Sequence, residues 1–154
     1  MECSCTVYTE VGDYCELLSS GFVKARKEHK CYECCGTIKV SEEYFKEATV
    51  YDRQFTEYKT CEHCYALRQV FFSDGWCYGQ LWEAFKGMVR ECQGDISVPC
   101  ILDLTKVGRD KVLDLIEQTW ENDEYCPKCE HLIVTTWSST KCSNKNCDYV
   151  EPCL

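Results

Sequence analysis

The sequence predicts an α+β protein assembled from small modules, not from one large hydrophobic core. Sixteen of its 154 residues are cysteines, and several of these fall in closely spaced pairs. Stretches with the two-residue alternation of β-strands are followed by stretches with helical periodicity, and the chain then returns to strand patterns. No run approaches the roughly 20 apolar residues of a membrane span. We therefore expect a folded chain of cysteine-stabilised modules with no membrane partner.

The cysteine content has two candidate explanations, a secreted disulfide framework or metal ligation in a reducing compartment. The first residues, MECSCTVYTEVGDYCE, are acidic and lack an apolar core, so we expect no secretory signal. Six of the eight cysteines assigned below lie in Cys-x-x-Cys pairs. That spacing suits two thiolates on one tetrahedral ion, and zinc is the usual occupant. The sequence therefore favours zinc ligation over disulfides.

The patterns divide the chain into four segments. We expect an irregular N-terminal Cys-x-Cys segment over residues 1–21, a first zinc module over 22–74, a helical segment over 75–122 and a second zinc module over 123–154.

The first zinc module is defined by two Cys-x-x-Cys pairs separated by 26 residues. Its predicted ligands are Cys31, Cys34, Cys61 and Cys64. The intervening residues 43–51 and 54–60 are rich in Tyr, Phe, Val and Thr, which predicts a β-hairpin. Helical periodicity begins at the second pair, so its thiolates would lie near the positive end of a helix dipole. A knuckle, a hairpin and a helix with ligands in its first turn, in that order, predict a treble-clef-like finger.

The segment over residues 75–122 predicts two amphipathic helices. Leu81, Phe85, Met88 and Cys92 are spaced by four, three and four residues. A second helix is expected to start after Thr105, which is a favourable N-cap. Apolar stripes of this kind usually pack into a core.

The second zinc module contains Cys126, Cys129, Cys142 and Cys147, with 12 residues between the pairs. Short strands are expected over residues 132–137 and 148–150, which predicts a zinc ribbon. A segment this short buries too little apolar surface to fold without metal.

The remaining cysteines leave one alternative open. Cys3, Cys5 and Cys100 could form a third metal site, with Cys15, Cys92 or His29 as the fourth ligand. Cys77 and Cys92 are otherwise expected to be buried small hydrophobic residues. The sequence thus predicts two zinc ions, or three if this further site forms.

No catalytic residue is assigned, and we expect no enzymatic activity. His29, His63 and His131 each lie within two residues of a predicted zinc ligand, where histidine is usually a surface residue. The treble clef is also the metal-binding fold of His-Asn-His nucleases. These enzymes need a histidine in the hairpin as the base and another in the helix to hold a catalytic metal. Residues 43–60 and the helix after Cys64 contain none.

The charge distribution disfavours nucleic acid as the main partner. The net charge is −9, with −4 on residues 1–21, zero on 22–74, −2 on 75–120 and −3 on 121–154. A nucleic-acid binder usually has a basic face. The one basic cluster consists of Lys24, Arg26, Lys27 and Lys30, and Glu28 interrupts it.

Aromatic residues make up 13% of the chain and suggest a surface for a protein partner, because Tyr and Trp are common interface anchors. The predicted partner surface consists of Tyr51, Phe55, Tyr58 and Trp137, with Trp76 and Tyr78 as further candidates.

Several strings together resemble a known group. These are MECSC at residues 1–5, KARKEHKCYEC at 24–34, YKTCEHC at 58–64, GWCYGQLWE at 75–83, CILDLT at 100–105 and RDKVLD at 109–114. Over about residues 1–120 the chain resembles small cysteine-rich zinc-binding proteins of bacteriophages and prophages, with the ribbon as an appended module. The chain departs from the group at Cys35, which adds a rival zinc ligand, and at Val40 and Ser41, which replace Pro-Gly before the hairpin.

The resemblance implies a phage origin, action in the cytoplasm of a bacterial host, and cysteines at the positions of Cys3, Cys5 and Cys100. It implies no reaction. We therefore expect an accessory protein that binds and modulates, by inhibition, a bacterial host protein such as a defence nuclease or a transcription component. The alternative is a nucleic-acid-binding zinc-finger protein with a regulatory role. The sequence does not determine the oligomeric state.

Overall fold

A computed structural model of the chain describes residues 5–10, 14–121, 126, 128–129, 133–135, 139–148 and 150–152. The chain divides into two compact units, Met1–Ile116 and Glu117–Leu154. The observed secondary structure is mixed α and β, as expected. Its strands and helices, in chain order, are β1 (Glu16–Lys24), β2 (His29–Lys30), β3 (Thr37–Ile38), β4 (Glu43–Tyr51), β5 (Gln54–Cys61), α1 (Glu62–Phe71), α2 (Leu81–Glu91), α3 (Val98–Leu102), α4 (Lys106–Glu121), β6 (Ile133–Thr135), β7 (Ser139–Cys142) and β8 (Val150–Pro152).

The predicted hairpin is confirmed as β4 and β5, which pair antiparallel from Tyr44 opposite Cys61 to Tyr51 opposite Gln54. The turn residues Asp52 and Arg53 both have positive φ, at 48° and 62°. Two successive positive φ values are the mark of a type I′ turn, whose twist matches that of the flanking strands. Asp accepts this conformation more readily than most residues, which explains a tight hairpin without glycine.

The prediction that residues 1–21 are irregular is wrong for residues 16–21. These begin β1, which pairs antiparallel with β4 and forms the edge of a sheet in the order β1-β4-β5. The register shifts between Leu17 and Ser19, as in a β-bulge. Most residues of β1 are exposed, and the adjacent side chains of Leu17 and Leu18 are each 52% exposed. The strand therefore lacks the buried-exposed alternation by which sequence analysis recognises strands.

Most of the buried core of the first unit comes from the helices α1 to α4. The predicted helices are confirmed as α2 and α4, and Thr105 caps α4 by accepting a hydrogen bond from Gly108 N–H at 3.1 Å. The short helix α3 was not predicted. The most deeply buried apolar side chains of α1, α2 and α4 are Leu67, Phe71, Leu81, Phe85, Val89 and Val112.

A buried ion pair joins α1 to β4. Arg68 donates from Nη1 to Glu47 Oε2 at 2.9 Å, and the two side chains are 2% and 4% exposed. The guanidinium carbon lies 4.1 Å from the centroid of the Trp76 ring and 5.2 Å from that of Tyr65. Aromatic faces and a carboxylate thus replace the water that the guanidinium loses on burial.

The second unit contains a three-stranded antiparallel sheet in the order β6-β7-β8. The strand predicted over residues 132–137 is confirmed over Ile133–Thr135 as β6, whereas the return strand predicted over 148–150 overlaps β8, Val150–Pro152, at residue 150 alone. The middle strand, β7, was not predicted. In the part of the chain that the structure describes, every helix is too short or too polar to cross a membrane.

Replacing Glu47 with Gln is expected to lower the free energy of unfolding of the first unit by about 3–5 kcal/mol, because it leaves the buried Arg68 charge without its partner. Chemical denaturation with reductant and metal present measures this. Glu83→Gln is the control, since Glu83 pairs with Lys86 at 2.9 Å but is 77% exposed, and a change of about 0–1 kcal/mol is expected there. Equal midpoints for the two variants would contradict the prediction.

Candidate metal centres

The first tetracysteine group contains Cys31, Cys34, Cys61 and Cys64, whose sulfur atoms all lie within 4.8 Å of one another. Cys31 and Cys64 are buried, and the other two are half-buried. A tetrahedral ion with metal–sulfur bonds near 2.3 Å separates its ligands by about 3.8 Å. The observed separation of Cys34 Sγ and Cys61 Sγ is 3.9 Å. The four predicted ligands are therefore placed as one metal ion requires.

The short sheet of β2 and β3 positions the first pair of sulfurs. Cys31 N–H donates to the carbonyl of Gly36 at 2.9 Å, and Gly36 N–H donates to Cys34 Sγ at 3.4 Å. A Cβ on Gly36 would lie 3.1 Å from that sulfur, so the close approach favours glycine. Cys35 has a φ of 57° and is exposed. The predicted rival ligand is therefore not part of this group.

The second pair of sulfurs lies where β5 passes into α1. Cys61 is the N-cap of the helix, and Cys64 lies in its first turn, as predicted. Cys61 N–H donates to Cys31 Sγ at 3.3 Å, and the indole Nε1–H of Trp82 donates to Cys64 Sγ at 3.2 Å. N–H donors of this kind stabilise thiolates over thiols. Sequence analysis did not identify Trp82 as a supporting residue.

The ionisation of each thiol in the first group depends on that of its neighbours. A hydrogen bond from Cys34 lowers the pKa of Cys31, whereas hydrogen bonding to Cys31 raises the pKa of Cys64. Without a cation, four adjoining thiols cannot all ionise, because each new thiolate repels the others. A divalent ion removes that repulsion and lets all four sulfurs act as ligands.

Glu33, within the first knuckle, connects this group to α2. Its Oε2 accepts hydrogen bonds from Gly79 N–H at 3.0 Å and from Leu81 N–H at 3.2 Å. It therefore satisfies unpaired amides at the start of the helix and places a negative charge at its positive end. The sequence contains no local sign of this contact, because the two partners are more than 40 residues apart.

The second tetracysteine group contains Cys126, Cys129, Cys142 and Cys147, and its sulfurs also lie within 4.8 Å of one another. The distances are 3.8 Å from Cys126 Sγ to Cys147 Sγ and 3.4 Å from Cys129 Sγ to Cys142 Sγ. Asn144 N–H donates to Cys142 Sγ at 3.4 Å, and the carbonyl of Asn144 accepts from Cys147 N–H at 3.0 Å. This turn brings the last two ligands together across the four residues between them.

The further metal site considered from the sequence stays a prediction. Cys3 lies outside the described residues. Cys5 Sγ accepts a hydrogen bond from Ser97 N–H at 3.4 Å. Cys100 is buried and disulfide-bonded, and a sulfur in a disulfide is not a thiolate ligand. By contrast, all eight cysteines of the two groups are thiols.

The fourth-ligand candidates for that site have other contacts. Cys92 Sγ donates to the carbonyl of Val89 at 3.6 Å, and burial raises the pKa of this thiol. The ring of His29 lies 5.3 Å from that of Tyr44. Cys15 is half-buried, as is Cys77, which was expected to be buried.

Among the described histidines, His63 is not a member of either tetracysteine group. His63 Nδ1 lies 2.8 Å from Thr105 Oγ1, so it connects α1 to the capping residue of α4. His131 lies outside the described residues.

The structure brings only some residues of the predicted partner surface together. Tyr51 and Tyr58 line the same cavity beside the sheet, together with Trp76 and Tyr78. Phe55 is opposite Val50, and by alternation along β5 it lies on the other face of the sheet. Trp137 lies outside the described residues.

Comparisons with protein-family models, with curated proteins and with solved structures found no significant match. The conclusions about the site therefore depend on the geometry of the cysteine groups alone. That geometry establishes two tetracysteine groups, each suited to one metal ion, in a chain of mixed α and β structure.

Protein purified under reducing conditions is expected to contain two metal ions per chain, with zinc as the element, because each group supplies four thiolates. Elemental analysis measures the ratio. Cys64→Ser should lower it to one, and the matched control Cys35→Ser should leave it at two. One ion or fewer in the unmodified protein would contradict the prediction, and a ratio of three that returns to two in Cys5→Ser would locate a further site.

Replacing Cys126 with Ser is expected to unfold the second unit and leave the first intact, because each metal stabilises only the module that ligates it. Hydrogen exchange resolved along the chain measures this. Amides of residues 139–148 should lose protection while those of residues 31–64 keep it. Equal loss in both ranges would show that the two units do not fold independently.

Proposed function

We propose that the chain is a zinc-stabilised protein-binding module whose metals are structural. The observation that supports this most directly is that four sulfurs converge in each group. Four thiolates fill a tetrahedral coordination shell and leave no position for a water molecule or a substrate. A metal held in this way stabilises a fold and does not activate a reactant.

Zinc is the proposed metal at both sites. Tetrahedral four-sulfur coordination is typical of zinc and of iron–sulfur proteins. The first site has the order of a treble-clef finger, with a knuckle on β2 and β3, the β4–β5 hairpin and a ligand in the first turn of α1. The second site, beside the sheet of β6, β7 and β8, has the order of a zinc ribbon. Single-ion zinc sites of these two kinds are widespread in proteins.

The proposed partner is a bacterial protein, and the effect on it is inhibition. The net charge of −9 favours a basic partner and repels phosphate at long range. The resemblance to phage proteins supports action in the host cytoplasm, where a defence nuclease or a transcription component presents a basic surface that normally binds nucleic acid. An acidic module that occupies such a surface would compete with the nucleic acid.

The alternative is direct, regulatory binding of nucleic acid, and one observation favours it. Lys24, Arg26, Lys27 and Lys30 are all exposed where β1 ends and β2 begins. Two of these cations have neighbours that weaken the patch. Lys24 is opposite Glu43 in the sheet register, and Lys30 Nζ donates to Thr37 Oγ1 at 2.8 Å.

The test is capture from a nuclease-treated bacterial lysate, run beside gel shifts with duplex and single-stranded DNA at low and physiological salt. We expect a host protein that then binds the purified chain at a defined ratio, and no gel shift at physiological salt. A variant with Lys24, Arg26, Lys27 and Lys30 changed to Gln should retain that protein.

Micromolar or tighter DNA binding that this four-site variant abolishes, with no protein retained, would overturn the proposal in favour of the alternative. The salt dependence distinguishes the two outcomes further, because removing one cation that binds a phosphate should reduce its slope by about 0.7–0.9.

A further inference from the structure

A cavity of about 750 Å³ lies beside the β1-β4-β5 sheet and takes no part in either metal centre. One side is formed by alternate residues of β4 and β5, among them Glu47, Tyr51 and Tyr58. Residues 74–78, which follow α1, form the other side. We call this the aromatic cavity. Its volume is typical of a specific binding pocket.

Five aromatic side chains line the aromatic cavity. The rings of Tyr58 and Tyr78 are stacked with centroids 3.7 Å apart, and the ring of Trp76 lies edge-on to Tyr78 at 6.2 Å. Tyr14 and Tyr51 are 85% and 49% exposed and lie toward solvent. The face of an aromatic ring carries negative potential and attracts a cation placed over it.

The charged residues that line the aromatic cavity are both acidic. They are Glu47, which is buried, and Asp74, which is exposed. No Lys or Arg lines the cavity among the described residues. Arg68 neutralises Glu47, so Asp74 is the negative charge that remains for a ligand. Burial, followed by the nearby charge of Glu47, raises the pKa of Tyr78, so its phenol stays protonated and neutral.

The same chemistry already holds a guanidinium inside the protein. Arg68 is surrounded by the rings of Phe45, Tyr65 and Trp76 at 5.4, 5.2 and 4.1 Å, and Glu47 balances its charge. The aromatic cavity is lined by Trp76 and Glu47 of this same cluster and adds further rings and the carboxylate of Asp74 to them. Its rings and carboxylates suit a cation and oppose a phosphate.

We propose that the aromatic cavity binds a lysine or arginine side chain that projects from the partner protein. This deepens the proposed function, because it places the contact with a basic partner at a defined site. The cationic head lies over the tyrosine and tryptophan rings near Asp74, and the aliphatic stem packs against the cavity wall. A volume of about 750 Å³ holds such a side chain together with adjoining backbone.

The test uses a small cation, choline, and its neutral isostere 3,3-dimethyl-1-butanol, at matched ionic strength. Both are titrated into ¹⁵N-labelled protein while the indole signals are followed by NMR. We expect saturable shifts of the Trp76 signal with choline, and binding of the isostere about 5- to 30-fold weaker, which is the range of a cation–π interaction. The Trp82 signal is the internal control, because that indole donates to Cys64 Sγ.

Three variants complete the design. Asp74→Asn should weaken choline binding about threefold or more, since it removes the negative charge that remains for a ligand in the cavity. Asp114→Asn makes the same change in net charge on α4, outside the cavity lining, and should leave binding unchanged. Tyr51→Leu, at an exposed ring, should also weaken choline binding without unfolding the protein.

Several outcomes would overturn the inference. These are equal affinity for choline and its isostere, no saturable Trp76 shift, equal effects of the two Asp variants, or tighter binding of adenosine monophosphate than of choline, which would indicate a base-stacking surface. The outcomes of these experiments distinguish a failure of this site from a failure of the proposed function. Choline binding without a protein partner would refute the proposed function and leave the aromatic cavity as a cation site only, whereas a partner retained equally by Asp74→Asn would refute this site alone.

Discussion

The convergence of Cys31, Cys34, Cys61 and Cys64 on one point is the constraint on which the first unit depends. It joins the turn between β2 and β3 to the junction of β5 and α1, two places about 30 residues apart in the sequence. Because metal–thiolate bonds have defined lengths and angles, the junction sets where the hairpin ends and where the helix begins. Trp82 and Glu33 then connect α2 to the same point through hydrogen bonds.

A second constraint acts one turn further along the same face of α1. Arg68 leaves water completely, and its charge is balanced by Glu47 and by three aromatic rings. A buried ion pair of this kind contributes less to stability than to specificity, since a shift of α1 along the sheet would separate the partners. The metal centre and the ion pair together fix two successive turns on one face of the helix, which leaves the aromatic rings beyond Glu47 in a defined arrangement around a cavity.

The function that we propose from this arrangement is recognition of a protein partner. A closed thiolate shell provides stability without a reactive position, and an acidic chain with exposed tyrosines suits a basic protein surface. In this view the metals contribute indirectly, because they hold the sheet and the segment of residues 74–78 in place. In our proposal, the sheet and that segment form the surface that the partner contacts.

The sequence by itself determined the two ligand sets, the β4–β5 hairpin and the helices α2 and α4. Each is encoded locally, by the spacing of cysteines or by the period of apolar residues. Only the tertiary structure decided the pairing of β1, the Arg68–Glu47 ion pair, the bond from Trp82 to Cys64 and the grouping of Tyr51 with Tyr58 but not with Phe55. These depend on contacts between distant residues, such as the 21 positions that separate Arg68 from Glu47. A charge or an aromatic ring in the sequence does not specify its partner, because the partner is determined by how the metal-held elements pack.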